Sequence, residues 1–594
     1  MPGMATSQNQ PASGPLWTVG AACAALALLL AWAYLLWALN GPGDESKTAV
    51  AVGEDGSGAT GTIPEDGSGP LTYSGGPPAS LSPADFTRIE DGTKADLVFA
   101  ITAGAGDGAP YRHWQPVAAQ GAAVDALTMT QLQALLSANA NWTNAGGIAG
   151  KVTFAVAGPP ADQKAQLQFA GGSVVPGASF ESYEALRAAM TVGSGILTFV
   201  PLVEVRPSVM AIAVDGMDPV RGRGELAAWP FIERLTIRGE TKRGKDAAAA
   251  LAFQLVAKLP PAITVAATGD ILMSRCTLAK IEATGDWGAP LRSPVGEYLA
   301  AAHLALGSLD GSLQDINQPF RCVKGTNLSS PVESVQALTL AGIDSVTVAT
   351  NHVFDCGIAY CAGKAFLRTL EVLTAAGIKH VGGGNNLEEA LAPAIFEIGG
   401  VKLGVLGFDD VAAMDLEATA TEPGTAPLDD DYSEERAANE PAFYRPASEL
   451  GITRFVDRIT KLKAQVDVVI VQVQSGTEDT HTPTERSIKA LRAAADAGAD
   501  LVVGNQAHWV QAVEPRGGAF IAYALGNFIF DQLHTPEHSQ GFLLEATFWG
   551  RELVNVRLLP YQITNQLRPE FVTGATRTKI LDDVFTASAE LPKP

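Results

Sequence analysis

Ile263-Thr264-Val265-Ala266-Ala267-Thr268-Gly269-Asp270 is an apolar, β-rich run that stops on a glycine and a carboxylate. Four more clusters follow: Ser308-Leu309-Asp310, Thr350-Asn351-His352-Val353-Phe354-Asp355-Cys356-Gly357, Gln474-Ser475-Gly476-Thr477-Glu478 and Gly504-Asn505-Gln506-Ala507-His508. The series ends at Gly526-Asn527-Phe528. The strongest members each close a β-rich run, so their Asp, Asn and His side chains can converge at the C-terminal rim of one sheet, where open α/β folds place their sites. Helical patterns separate them. Ser330-Pro331-Val332-Glu333 reads as a capping box opening a helix that Gly342 ends before Ser345-Val346-Thr347-Val348. Thr484 to Ala497 repeats this logic, closing at Gly498 before Leu501-Val502-Val503. Strands alternating with helices give an α/β class.

In order and spacing the clusters resemble the CapA (poly-γ-glutamate capsule synthesis) family of the calcineurin-like metallophosphoesterase superfamily. The most specific pieces are Thr350-Asn351-His352 through Asp355-Cys356-Gly357, like the family's A-N-H-x-x-D-x-G, and Tyr523 to Gln532, like its S-L-G-N-F-x-F-D-Q. The resemblance covers roughly Pro260 to Thr564 and implies a metallophosphoesterase-like layered α/β domain. It also implies a pair of divalent ions that generate hydroxide and stabilise phosphoryl oxygens. In that scheme Asp270, Asp310, Asn351 and His508 are metal ligands. His352 matches the proton donor to the leaving group, a role that requires it to face substrate. Gln474, Glu478, Gln506, Asn527 and Arg275 would support the site or contact substrate, Arg275 through a bidentate phosphate contact or else as a surface ion pair.

The departures from the family pattern matter equally. Gln474 stands where the family has the His of H-W-G-x-E, Gln506 replaces the first His of G-x-H-x-H, Ser308 replaces the Asn of N-L-E, and no His follows two residues after Asp270. Glutamine oxygens suit Mg²⁺ or Mn²⁺ better than zinc, so Mn²⁺ or Mg²⁺ is the expected ion. Plain structural roles stay open: Asp270 as a helix cap, Asp310 as a turn residue, Asn351-His352 as a satisfied core pair, His508 as packing beside Trp509.

Composition bounds the rest. With 594 residues the chain is too long for one core. Its 41 basic and 63 acidic residues give a net charge of -22, which excludes a general nucleic-acid binder. A phosphorylated substrate or anionic envelope polymer is not excluded, because a metal inverts the local potential. Leu16 to Leu39 carries no charge and is long enough, at about 24 residues, to cross a bilayer as a single-pass helix. The large C-terminal part is then expected outside the cytoplasm; a cleaved signal peptide is the alternative.

The organisation expected is a short tail at 1–15, a transmembrane helix at 16–39, a flexible linker at 40–93, an accessory α/β domain at 94–259, the CapA-like domain at 260–564 and a C-terminal tail at 565–594. The linker reading rests on Gly, Ser, Pro and acidic residues that cannot bury enough surface. In the accessory domain Asp96–Ile101 and Gly150–Ala155 read as strands, and Met129–Ser137 and Ser182–Met190 as helices. Gly195–Leu202 with Met210–Gly216 resembles part of a periplasmic phosphate-type substrate-binding domain. The acidic stretch from about Met414 to Pro446 reads as a solvated insertion or a lid. Cys276, Cys322, Cys356 and Cys361 form an even set, expected as the disulfides Cys276–Cys322 and Cys356–Cys361, or else as buried thiols.

Two functional classes fit. One is a metal-dependent hydrolase or transferase acting on a phosphoester or polymer bond. The other is a non-catalytic polymer-binding or export subunit working with capsule synthase or export partners.

Overall fold

The computed structural model describes residues 71–75, 86–89, 95–104, 107–254, 260–315, 322, 328–356, 363–412, 416–430 and 446–593. The expected span at 16–39 lies outside them. Among the described residues no helix is long and apolar enough to cross a membrane.

The opening run is β1 (Ala262–Ile271). Its period of two sends Ile263, Val265 and Ala267 into one core and Ala266 into another. A register shift between Ala267 and Asp270, against the neighbouring strand, then re-aims the chain just before the carboxylate. Gly269 is required there: a Cβ would stand 1.8 Å from the carbonyl oxygen of Gly526.

Around β1 lie β2 (Leu304–Leu309), β3 (Ser345–Thr347) and β4 (Lys379–Val381), all parallel. A second sheet holds β5 (Ala394–Ile398), β6 (Val401–Asp409), β7 (Val468–Gln474), β8 (Leu501–Asn505), β9 (Val513–Arg516) and β10 (Ala519–Ala522), in the order β5-β6-β7-β8-β10-β9. The first sheet is completed by β11 (Asn527–Ile529), β12 (Gln540–Trp549), β13 (Glu552–Thr564) and β14 (Arg568–Phe571). Its order is β4-β3-β2-β1-β12-β13-β14, with β11 paired to β1.

The two sheets share a core built from Val265, Leu306, Val405, Ile470, Val503 and Phe542. Helices cover the outer faces: Leu338, Phe366 and Leu373 pack on the first sheet, and Phe455, Ile459 and Leu491 on the second. Parallel strands of both sheets therefore end on one side, and the rim clusters sit there.

Several expectations change. Leu71–Gly75 is a strand paired on one side to Phe86–Arg88 and on the other to Leu97–Ala103, so the linker expected to reach residue 93 is interrupted by sheet. Residues after 564 are not a loose tail: β14 extends the first sheet, and helix Gly574–Ala589 inserts Ile580, Leu581, Val584 and Phe585 into the inter-sheet core. Ser330 does not cap a helix, because Ser329–Pro331 pairs with Ser312–Gln314, a 3-10 turn follows at Val332–Ser334, and the α-helix begins at Val335. The insertion after residue 414 is partly core: Ala418, Ala426 and Leu428 are buried. Its residues 431–445 lie outside the described ones.

Thr484 does cap helix Glu485–Asp496, accepting from Ser487 N, as the pattern suggested. Cys276 and Cys322 are joined in a disulfide. Cys361 of the other expected pair is outside the described residues.

The N-terminal part is a nine-stranded sheet with helices that include Met129–Leu135 and Tyr183–Ala189. It is welded to the two-sheet part by buried charge: Arg221 Nε lies 2.8 Å from Glu545, Arg557 Nε donates to Asp125 at 3.0 Å, and Arg577 reaches Asp125 at 3.1 Å.

Candidate metal centre at the sheet rim

Asp270 is the penultimate residue of β1, Ser308 lies near the end of β2, Gln474 ends β7, and Asn527 opens β11 directly across from Asp270 in the ladder. Asp310 follows β2, with its N–H on Ile271 O at 3.0 Å. The Thr350 hydroxyl donates to Leu309 O at 3.1 Å, which ties the Asn351-His352 turn to the same place.

Asp270 is 1% exposed. It accepts from Ser308 Oγ at 3.0 Å, from Gln474 Nε2 at 3.4 Å and from Gln506 N at 3.3 Å, and its Oδ2 lies 3.6 Å from His508 Nδ1. Burial, together with the charge of Asp310, pushes its pKa up to about 6. Asp310 is fully buried, and among the described residues neither carboxylate oxygen has a hydrogen-bond partner. Asn351 Oδ1 is likewise buried without one. Two neighbouring buried carboxylates, one of them with both oxygens unmet, cost free energy unless a cation joins them. The donor set is therefore of the kind that holds a hard divalent ion.

Each histidine is oriented through one nitrogen. His508 Nδ1 lies 2.8 Å from Asn527 Oδ1, whose amide nitrogen donates to His538 O at 3.1 Å, so His508 carries its proton on Nδ1 and keeps the Nε2 lone pair free. His352 Nδ1 lies 2.8 Å from Asp355 Oδ2. Burial opposes its charged form, but the Asp355 hydrogen bond and the charges of Asp310 and Asp355 prevail and raise its pKa. Its Nε2 is the nitrogen that Asp355 does not engage.

Gln474 Nε2 donates to Gln506 Oε1 at 2.9 Å, forming an amide pair beside Asp270. Glu478, half exposed, lies 3.5 Å from Gln506 Nε2 and 3.9 Å from His508 Nε2. Arg275 is turned elsewhere: its Nε donates to both oxygens of Asp531 at 3.0 and 3.2 Å, and its Nη2 also reaches that carboxylate. The phosphate contact considered for it is replaced by this ion pair.

Of the ten non-glycine residues with positive φ among the described residues, Arg275, Asp479, Gln506 and His508 belong to this rim. Each such conformation costs on the order of 1–3 kcal/mol and persists where the surroundings impose it, commonly at functional sites.

Two features escaped the sequence reading. Asp410, one residue past β6, is held by buried Arg486 (Nη2–Oδ1 2.6 Å), which also binds Asp429 at 2.8 Å; Asp410 N donates to Gln474 O at 2.9 Å. The signal was there, since β6 is another apolar run closing on a carboxylate. Asp355, quoted as part of a motif, turns out to orient His352.

Residues 264–532 match the family model described as bacterial capsule synthesis protein PGA_cap. The PGA biosynthesis protein CapA of Bacillus subtilis (strain 168) is 27% identical over 265 residues, covering 44% of this chain and 62% of its own. The capsule biosynthesis protein CapA of Bacillus anthracis is 27% identical over 277 residues, 46% of this chain and 60% of its own. A probable polyglutamine synthesis accessory protein of Mycobacterium tuberculosis is 24% identical over 320 residues, 50% and 76%. The chain thus spans about three fifths of the length of the two Bacillus relatives.

Proposed function

Because residues 264–532 belong to the bacterial capsule synthesis family that includes CapA, we propose that this chain serves the making or export of an extracellular polymer of the poly-γ-glutamate type through a divalent-metal site at the sheet rim. The observation that carries the metal is Asp310, with two buried, unpartnered carboxylate oxygens close enough to Asp270 to raise its pKa. Asp270, Asp310, Asn351 and His508 would hold the ion, and a set dominated by oxygen favours Mn²⁺ or Mg²⁺. A bound ion supplies an acidified water and neutralises charge on a phosphoryl or acyl oxygen.

The chain's own residues do the rest. Asn527 fixes the His508 ring and its tautomer, and Asp355 fixes His352. The Asp355 hydrogen bond and nearby carboxylate charge raise the His352 pKa and so favour the protonated form that gives its proton to a leaving group. A cation at the rim also lets a chain of net charge -22 approach an anionic polymer or phosphorylated substrate. The uncharged segment Leu16–Leu39 would anchor the chain, with the folded part outside the cytoplasm beside capsule synthase or export subunits.

One observation favours a second reading. The Gln474–Gln506 amide pair stands where the resemblance expects imidazoles, which suits a polymer-binding or export subunit that retains the fold without turnover. The two readings separate in a strain lacking the gene, complemented by variants. For an enzyme, Asp270→Asn loses metal with little loss of fold, and His352→Ala keeps metal but loses on the order of 10²–10⁴-fold in turnover. Wild-type polymer production by both variants leaves the subunit reading.

A further inference from the structure

Of the eight histidines in the chain, His481, His534 and His538 gather about Trp509, next in sequence to His508. The His481 and His538 rings lie 5.0 and 5.8 Å from the Trp509 ring, and the His534 and His538 rings 3.8 Å from each other. Asp479, His534 and His538 each offer one ligand atom, and these atoms all lie within 4.8 Å of one another. His538 is 1% exposed; its Nε2 is buried 2.7 Å from Asp479 Oδ1, yet among the described residues makes no hydrogen bond of acceptable geometry. Asp479 itself is held in the left-handed region, at φ 62°.

We propose that Asp479, His534 and His538 form a second metal site, a two-histidine, one-carboxylate set for a transition ion of the zinc type, independent of the Asp270 centre. Two imidazoles and one carboxylate are a donor set for such an ion rather than for Mg²⁺, and three protein ligands leave a position for water. The second shell is in place. Metal on Nε2 puts the ring proton of His538 on Nδ1, where Thr535 Oγ1 stands 2.8 Å away to accept it. The longer approach of the Trp509 indole N–H to the same nitrogen, 3.3 Å, serves the metal-free tautomer. Asp479 and His534 are exposed, so the ion has an entry path. Bound there, it would tie the loop after β7 to the loop after β11. Both loops border His508, since Glu478 precedes Asp479 and His538 O accepts from Asn527.

The test uses the full chain, free of any histidine tag, with Zn²⁺ alone as probe, by calorimetry and by metal analysis after dialysis. The Asp270→Asn background silences the rim centre. That protein should retain one Zn²⁺, and adding His534→Ala or Asp479→Asn, both at exposed positions, should weaken its binding on the order of 100-fold or more. An Asp270→Asn chain that binds no Zn²⁺, or whose Zn²⁺ binding is unchanged by both additions, overturns the proposal. Failure of the rim reading looks different: Asp270→Asn would then leave Mn²⁺ binding unaltered.

Discussion

Replacing Asp270 with Asn should stabilise the metal-free protein and abolish its stabilisation by Mn²⁺ at the rim. Burial and Asp310 raise the Asp270 pKa from 3.8 to about 6. A folded-state pKa above the unfolded one means that the native state prefers the proton. The favourable contribution is complete below about pH 4 and is lost as pH rises through about 6. Two units at about 1.4 kcal/mol each make the charged carboxylate a burden of roughly 3 kcal/mol at neutral pH. Asparagine keeps the shape and never ionises, but it gives up one acceptor among Ser308, Gln474 and Gln506 N, which offsets about 1 kcal/mol. The expected net gain in EDTA at pH 7.5 is therefore about 2 kcal/mol, fading towards pH 4. Saturating Mn²⁺ should stabilise wild type by about 2.7 kcal/mol at a hundredfold excess over its Kd and leave the variant nearly unmoved, so the gap closes. Urea unfolding of the full chain, followed by tryptophan fluorescence from pH 4 to 8 with EDTA or Mn²⁺, reads both effects. A variant less stable than wild type in EDTA at pH 7.5, or equally stabilised by Mn²⁺, refutes the reasoning.

Asp355→Asn removes the hydrogen bond and charge that raise the His352 pKa. The alkaline fall in turnover on a phosphoester substrate should then move to lower pH while metal content stays constant; an unshifted pH–rate profile contradicts the pairing. Arg486→Met strands the buried carboxylates of Asp410 and Asp429 and should cost about 3–5 kcal/mol at pH 7. That loss should shrink as acid neutralises Asp410, whose pKa burial raises, measured as urea midpoints at pH 7 and pH 5. Protease added to intact cells should digest the folded part if Leu16–Leu39 anchors it outside the cytoplasm, whereas digestion only after lysis reverses that placement.

The rim was legible because strand-end residues announce themselves twice, by a period-two apolar run and by the polar cluster that stops it. β1 with Asp270 and β7 with Gln474 both read directly. Orientation was not legible, because partners lie far along the chain: Arg275 read equally as a phosphate contact or an ion pair, and only Asp531, 256 residues away, decides for the ion pair. Asp410 was missed for the same reason, its partner Arg486 being 76 residues distant. Local signals also lost to pairing. The Ser330 capping box gave way to a strand, and sparse composition before residue 93 did not prevent Leu71–Gly75 from adding to a sheet edge. Only the fold could bring Asp479 to His534 and His538, although the spacing of those histidines, four apart, was visible.

Mn²⁺ binding to the full chain, read by electron paramagnetic resonance for wild type against Asp310→Asn, tests the rim most directly, with Asp479→Asn present in both so that the neighbouring histidine cluster stays silent. Asp310 offers two buried oxygens that no other group among the described residues satisfies, so wild type should take up Mn²⁺ and the variant should bind it on the order of 100-fold more weakly or worse. Superimposable binding curves for the two proteins would contradict a metal at this rim.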